Sequence, residues 1–301
     1  MTRRAAAHFR LPGTIALALL CLTAAQAKNP DVRRATAVSD DDLTVAYETH
    51  DLEREDVAVP RTRAVSVLVE DARTGEVLYE KNADAPRAAA STQKLLTALI
   101  VAEEGYLDRR VTVQTVDTLA EPVRLNIKPG DTYQRIDLLR ALLVKSPNDV
   151  ARCLARDNAG SIDLFAEKMN AKARALGATH SNFVNPNGLP MPDQYSTARD
   201  LSLIARAAYA NPTIRSIVCL PQLVFRYANG RTRELENTNK ILKRLPYCNG
   251  MKTGYTEAAG HCLIVSGKIP GRDVIVVVLG DSKAGVWQDA SALLSWGLRR
   301  M

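Results

Sequence analysis

The apolar, β-branched stretches of this chain lie towards its two ends, and a long run of helix-spaced sequence separates them. Val65, Val67 and Val69 alternate with Ser66, Leu68 and Glu70, Asp71-Ala72-Arg73-Thr74-Gly75 reads as a turn, and Glu76 to Tyr79 returns as a second strand. Cys262 to Ser266 and Val274 to Leu279 are apolar strand runs joined through Pro270-Gly271. Between these ends, residues 91–104, Ile136 to Lys145, Asp149 to Ala155, Ser161 to Leu176 and Arg199 to Ala208 carry apolar residues at helical spacing. Thr197-Ala198-Arg199-Asp200 reads as a capping box for the last of them, and Asn185-Pro186-Asn187-Gly188 as a turn. A final helix over about 284–299 carries Leu293, Leu294, Trp296 and Leu298. The order strands, helices, strands, helix predicts a mixed α/β (strictly α+β) architecture. An antiparallel sheet is closed by both ends of the chain and flanked by helices, with an all-helical lobe inserted.

The N-terminus reads as an export signal. Arg3, Arg4 and Arg10 precede a short apolar stretch, Leu11 to Leu22, and Ala25-Gln26-Ala27 is a cleavage site that leaves Lys28 first. The apolar stretch is too short to favour a retained anchor. Arg3-Arg4 hints at twin-arginine export, and Leu20 before Cys21 argues against a lipoprotein. Residues 28–62 are charged and aperiodic and read as a flexible tether, leaving one domain over residues 63–301. Loss of residues 1–27 removes three arginines and no acid, so the net charge falls from +7 to +4. That mild excess suits an anionic wall polymer or membrane surface. Export, the lack of a basic cluster and an aromatic content of 5% speak against nucleic acid.

Cys153, Cys219, Cys248 and Cys262 remain after the signal. Cys153 and Cys262 lie in apolar stretches and read as buried thiols, while a Cys219–Cys248 bridge is left open. His8, His50, His180 and His261 form no close ligand pair, so neither a metal nor any other cofactor is expected.

Three short strings carry the chemistry. Ser91-Thr92-Gln93-Lys94 places a hydroxyl and an amine three apart, on one face of a helix start. Free N–H groups at that start stabilise an oxyanion, and a lysine serves as base once burial or a second cation lowers its pKa. Lys252 is the obvious second cation. Ser146-Pro147-Asn148 breaks two helices at Pro147 and can aim a hydroxyl and an amide into a cleft; the plain alternative is a Ser N-cap. Lys252-Thr253-Gly254 offers a charge and a hydroxyl to a carboxylate, with Gly254 allowing close approach. Tyr255 then supplies a second oxyanion N–H. An isolated S-x-x-K arises by chance about once in a chain of this length, whereas K-T-G does so on the order of 0.05 times.

These strings in this order resemble those of serine penicillin-recognising enzymes, and the D-alanyl-D-alanine carboxypeptidases among them in particular. The resemblance runs from about residue 64 to 299. It takes in D-A-R-T-G-E-V-L-Y-E-K-N-A-D at Asp71 to Asp84, K-P-G-D at Lys128 to Asp131 and S-P-N-D-V-A at Ser146 to Ala151. It continues through F-V-N-P-N-G-L at Phe183 to Leu189, Y-S-T-A-R-D-L at Tyr195 to Leu201, and G-M-K-T-G-Y-T-E-A-A-G at Gly250 to Gly260. It implies a β-lactamase-like fold and hydrolysis of the terminal D-Ala-D-Ala bond of peptidoglycan stem peptides through an acyl-enzyme that β-lactams trap. Carried over, Ser91 is nucleophile, Lys94 base, Ser146 relay, Asn148 amide clamp, and Lys252 with Thr253 the carboxylate site. Thr92-Gln93 stand where the family usually has a bulky apolar residue and Thr, and Asn249 where many members have Asp. The C-terminal β-domain and amphipathic membrane helix of many members are not matched, which leaves no clear membrane anchor after signal cleavage and leans towards single-domain endopeptidases.

Three other readings compete. A DD-endopeptidase would use the same chemistry on cross-links. A β-lactamase would need an E-x-x-L-N string, and Glu167-Lys168-Met169-Asn170 has the wrong spacing. A non-catalytic wall-binding protein has no reason to keep all three strings intact.

Overall fold

A computed structural model describes residues 58–300. The expected signal peptide and all but the last residues of the expected tether lie outside the described residues. The chain is already held at Thr62 and Arg63, whose hydroxyl and N–H donate to the Asp289 carboxylate at 2.7 and 2.6 Å.

Strands β1 (Ser66–Asp71), β2 (Val77–Lys81), β7 (Cys248–Thr256), β8 (Gly260–Ile269) and β9 (Arg272–Asp281) form a five-stranded antiparallel sheet in the order β2-β1-β9-β8-β7. The first strand therefore lies beside the last, as the separation of the apolar runs requires, with Val67 opposite Val278 and Leu68 opposite Val277. The two-residue alternation sorts β9 between two layers. Val274, Val276 and Val278 pack with Val67, Val69 and Leu293, Leu294 and Leu298 of helix α7 (Gly285–Arg300). Ile275, Val277 and Leu279 face the opposite core, with Leu68 and the helical lobe.

The lobe comprises α1 (Lys94–Glu104), α2 (Arg135–Lys145), α3 (Asn148–Ala159), α4 (Ile162–Ala175), α5 (Ala198–Ala210) and α6 (Pro212–Val218). Two small ribbons, β3 (Arg110–Thr112) with β4 (Thr132–Gln134) and β5 (Gln222–Arg226) with β6 (Thr232–Glu236), flank it. α6 and both ribbons are additions to the elements read from sequence. The capping box forms by half: Thr197 accepts from the Asp200 N–H, but the Asp200 carboxylate turns to the His180 N–H and the Ser181 hydroxyl. Two nearer donors outcompete the helix's own N-cap N–H. Cys153, Cys248 and Cys262 are buried free thiols and Cys219 is an exposed one, so the Cys219–Cys248 bridge does not form. Among the described residues, no helix is long and apolar enough to cross a membrane.

Candidate active site

Ser91 stands in one 3₁₀ turn, Ala90–Gln93, that runs directly into α1. The expected helix over 91–104 thus starts with a tighter turn. Two backbones press on it. A Cβ on Gly188 would lie 1.9 Å from the Ala90 carbonyl oxygen, and one on Gly254 would lie 2.9 Å from the Ser91 nitrogen. Only glycine fits either place. Thr92 ties the turn down through its hydroxyl, donated to the Ala89 carbonyl at 2.6 Å.

Lys94 is fully buried. Its Nζ lies 2.7 Å from Ser91 Oγ, 2.8 Å from Asn148 Oδ1 and 2.8 Å from the Asn187 carbonyl oxygen. Burial holds its pKa well below the ordinary lysine value, the Lys252 charge lowers it further, and Asp149 opposes them. A neutral amine has two N–H bonds and one lone pair. The two carbonyl acceptors take the N–H bonds, which leaves the lone pair for the Ser91 hydroxyl. The Ser91 hydroxyl also lies 3.3 Å from the Asn187 carbonyl oxygen, to which it can donate, so rotation of its O–H from that carbonyl onto the Lys94 lone pair is the one change that proton transfer requires.

Pro147 separates α2 from α3, as its missing N–H and fixed φ dictate. Ser146 before it adopts a left-handed backbone (φ 66°, ψ 31°) at the end of α2 and caps neither helix with its side chain. Its hydroxyl is buried with no hydrogen-bond partner in the protein, so the Ser N-cap alternative is excluded. Asn148 opens α3 and reaches Lys94. Asp149 accepts from the N–H groups of Leu125 and Asn126 at 2.9 and 2.8 Å. Together with the Asn148 N–H donated to Val123 O at 2.7 Å, this pins the neighbouring loop to the helix start.

Lys252, Thr253 and Gly254 lie within β7, the edge strand next to the Ser91 turn. Lys252 is fully buried, and burial pulls its pKa down to about 7. Its ammonium donates to the Thr253 carbonyl at 3.0 Å. The Thr253 hydroxyl donates to Thr238 Oγ1 at 2.7 Å. Tyr255 is exposed and stacks on His261, with ring centroids 4.4 Å apart. Asn249 bridges Tyr209 OH (2.9 Å) and Ser266 Oγ (2.6 Å), a purely structural use of the residue that departs from the family pattern.

The structure brings Ser91, Lys94 and Asn148 into direct contact, sets Gly254 against the Ser91 N–H, and puts Lys252 in electrostatic reach of Lys94. Sequence reading missed Asn187, whose carbonyl completes the Lys94 shell, and Thr238, the partner of Thr253. The signal for Asn187 was present in Asn185-Pro186-Asn187-Gly188, which read only as a turn, because a backbone carbonyl leaves no side-chain signature. A separate cavity lined by Arg73, Arg206, Tyr209, Arg215 and Asp273 contains none of these residues. Among the described residues, no cluster of three or more His, Cys, Asp or Glu could hold a metal ion.

Known proteins resemble this chain in sequence and in fold. A family profile described as D-alanyl-D-alanine carboxypeptidase matches residues 53–283. The D-alanyl-D-alanine carboxypeptidase DacB2 of Mycobacterium tuberculosis is 37% identical over 247 residues, covering 80% of this chain and 84% of the relative. A D-alanyl-D-alanine endopeptidase of Pseudomonas aeruginosa is 34% identical, covering 77% and 76%. The crystal structure of a Streptomyces DD-transpeptidase superposes with a TM-score of 0.76 at 29% identity, covering 80% of this chain and 99% of that one.

Proposed function

This chain belongs to the D-alanyl-D-alanine carboxypeptidase family, and we propose that it hydrolyses the terminal D-Ala-D-Ala bond of peptidoglycan stem peptides with Ser91 as nucleophile. The observation that carries this reading is the 2.7 Å contact between Ser91 and a fully buried Lys94 whose pKa is depressed by that burial and, further, by a second lysine. A serine hydroxyl needs such a base, and a lysine works only when neutral.

Lys94 takes the Ser91 proton as Oγ adds to the carbonyl of the penultimate D-Ala. The oxyanion forms between the N–H groups of Ser91 and Tyr255. The C–N bond breaks, and the departing amine of the last D-Ala receives the proton through the otherwise unpartnered Ser146 hydroxyl. Asn148 holds the peptide amide, while Lys252 and Thr253 hold the terminal carboxylate. Water then cleaves the ester, releasing the shortened stem peptide and restoring Ser91. β-Lactams stop at the ester. The reaction takes place outside the cytoplasm, after export directed by residues 1–27. Penicillin-treated protein is expected to carry one covalent adduct, on the tryptic peptide containing Ser91, and Ser91→Ala to lose both labelling and hydrolysis. An adduct on another residue, or labelling that survives in Ser91→Ala, overturns the assignment.

The endopeptidase reading keeps a specific support in the relative of that name, 34% identical over 237 residues. Digestion of purified monomeric and cross-linked dimeric muropeptides separates the two: a carboxypeptidase trims pentapeptide monomers, and an endopeptidase converts dimers to monomers.

A further inference from the structure

Gln93 is one of the two residues in Ser91-Thr92-Gln93-Lys94 that depart from the family pattern, and it is buried at 1% exposure. Its side-chain amide leaves the turn and crosses to a different segment. Nε2 donates to the Asn185 carbonyl at 2.6 Å and lies 3.4 Å from Gln194 Oε1. Gln194 clamps the same segment from the other side. Its Oε1 accepts from the N–H groups of Val184 and Asn185, both at 3.0 Å, and its Nε2 donates to the Leu189 carbonyl at 2.7 Å. Asn185 Oδ1 then accepts from the N–H groups of Asn187 and Gly188 at 3.1 and 2.9 Å, fixing the tight turn. Asn187 lies at the end of this chain of bonds. Its carbonyl accepts from Lys94 Nζ, and its side chain donates to the Asn148 carbonyl.

We infer that Gln93 is a positioning residue for the acyl-transfer base: it holds the Asn185–Leu189 turn so that the Asn187 carbonyl orients the Lys94 lone pair onto Ser91. This rests on Lys94 being the base. Without the Asn187 carbonyl, a neutral Lys94 has one acceptor for two N–H bonds, and nothing keeps the second N–H from pointing at Ser91 Oγ in place of the lone pair. A backbone carbonyl cannot be removed by substitution, so the clamp is the accessible point of control. The Gln93 side chain faces the turn and not the open side of Ser91, so the inference separates orientation of the base from binding of substrate.

The same carbonyl bears on protonation. It stabilises the ammonium more than the amine, as any carbonyl acceptor does. The charged and titratable groups around Lys94 are Lys252 on β7 and Asp149 on α3, with Asn148 and Ser91 as its neutral partners. None of them changes when Gln93 does. Displacing the Asn187 carbonyl is therefore expected to slow acylation and to move its acidic limb to lower pH.

The test measures acylation by a fluorescent penicillin against pH in wild type, Gln93→Met and Gln93→Thr, with thermal melts of each. Met keeps the length and removes the donor without adding a charge; Thr is the usual family residue and is too short to reach Asn185. Both variants are expected to fold and to label Ser91. Their maximal acylation rates should fall on the order of 10- to 100-fold, a cost typical of misplaced catalytic geometry. Their acidic limbs should shift downwards, while pre-covalent affinity stays within about twofold of wild type. Folded variants whose rate and pH profile superimpose on wild type overturn the inference. So does a uniform loss of rate with an unmoved limb, or failure of both variants to fold, since the clamp would then serve only the lobe. If wild type itself carries no label on Ser91, the nucleophile assignment fails instead.

Discussion

Two buried lysines with one shared consequence define the site at the residue scale. Lys94 and Lys252 are both fully buried, and each has lost the water that would hold it protonated. The charge on Lys252, poised at a pKa of about 7, lowers the pKa of Lys94 further, so the residue proposed to receive the carboxylate also tunes the proposed base. Lys252→Ala is therefore expected to have two effects. Acylation by substrates with a free carboxylate should fall by about tenfold to a hundredfold more than acylation by their amides, which corresponds to a charge-assisted hydrogen bond of about 1.5–3 kcal/mol. The acidic limb should move to higher pH, because Lys94 loses its repelling neighbour. Rate–pH profiles on paired acid and amide substrates check both, and equal losses on the pair would remove Lys252 from the carboxylate site. Ser91, Lys94, Ser146, Asn148 and Lys252 stand out as candidates in the sequence because each offers a distinctive side chain within a short string. Asn187, Gln93 and Gln194 do not, because they act through carbonyls and amides whose partners lie about 90–100 residues away along the chain.

Elements, in turn, decide how closely these groups approach. The helix spacing of residues 91–104 was readable, but the 3₁₀ turn at its start was not, since a single turn leaves no periodic signal. It accommodates the close approach of the backbones at Gly188 and Gly254, which lie far away along the chain. Likewise, K-T-G lies in the edge strand β7, which was not among the strands read from sequence because its glycines and charge weaken the apolar signal that marks β8 and β9. Gly254→Ala tests the contact between strand and turn. The new Cβ would meet Ser91 N at 2.9 Å and Thr92 N at 3.0 Å, so the turn must move by a few tenths of an ångström. The expected result is a loss of acylation on the order of 10²-fold, with a stability cost of about 1–3 kcal/mol. Labelling kinetics and thermal melts check the two figures, and near-wild-type labelling would mean the strand is free to retreat.

The whole molecule carries a pH signature from the same burial. Lys252 titrates at 10.5 when unfolded and about 7 when folded, and Lys94 is displaced in the same direction. Between those values the unfolded chain holds protons the folded chain has released, so these groups make stability rise with pH from about 7 to 10.5. Buried Glu70 has the opposite sign. Its pKa is raised by burial from 4.5 to about 7, so its contribution falls as pH climbs through that window. Thermal melts from pH 4.5 to 10.5 should show a dip near neutrality, and Lys252→Met should flatten the alkaline rise. A rise that survives unchanged in that variant would show that Lys252 is already charged in the fold. The gross architecture was legible because the strands' two-residue alternation and the lobe's helical spacing are strong periodic signals. The ribbons β3–β4 and β5–β6 were hidden by short length and exposed, polar residues. The pairing of β1 with β9 has a consequence for biogenesis. A chain emerging N-terminus first delivers β1 and β2 long before β9, so the middle of the sheet stays unzipped until its last strand arrives. The Ser91 turn likewise waits for Gly254 on β7, so a chain clipped ahead of Cys248 would lack the strand that closes against it.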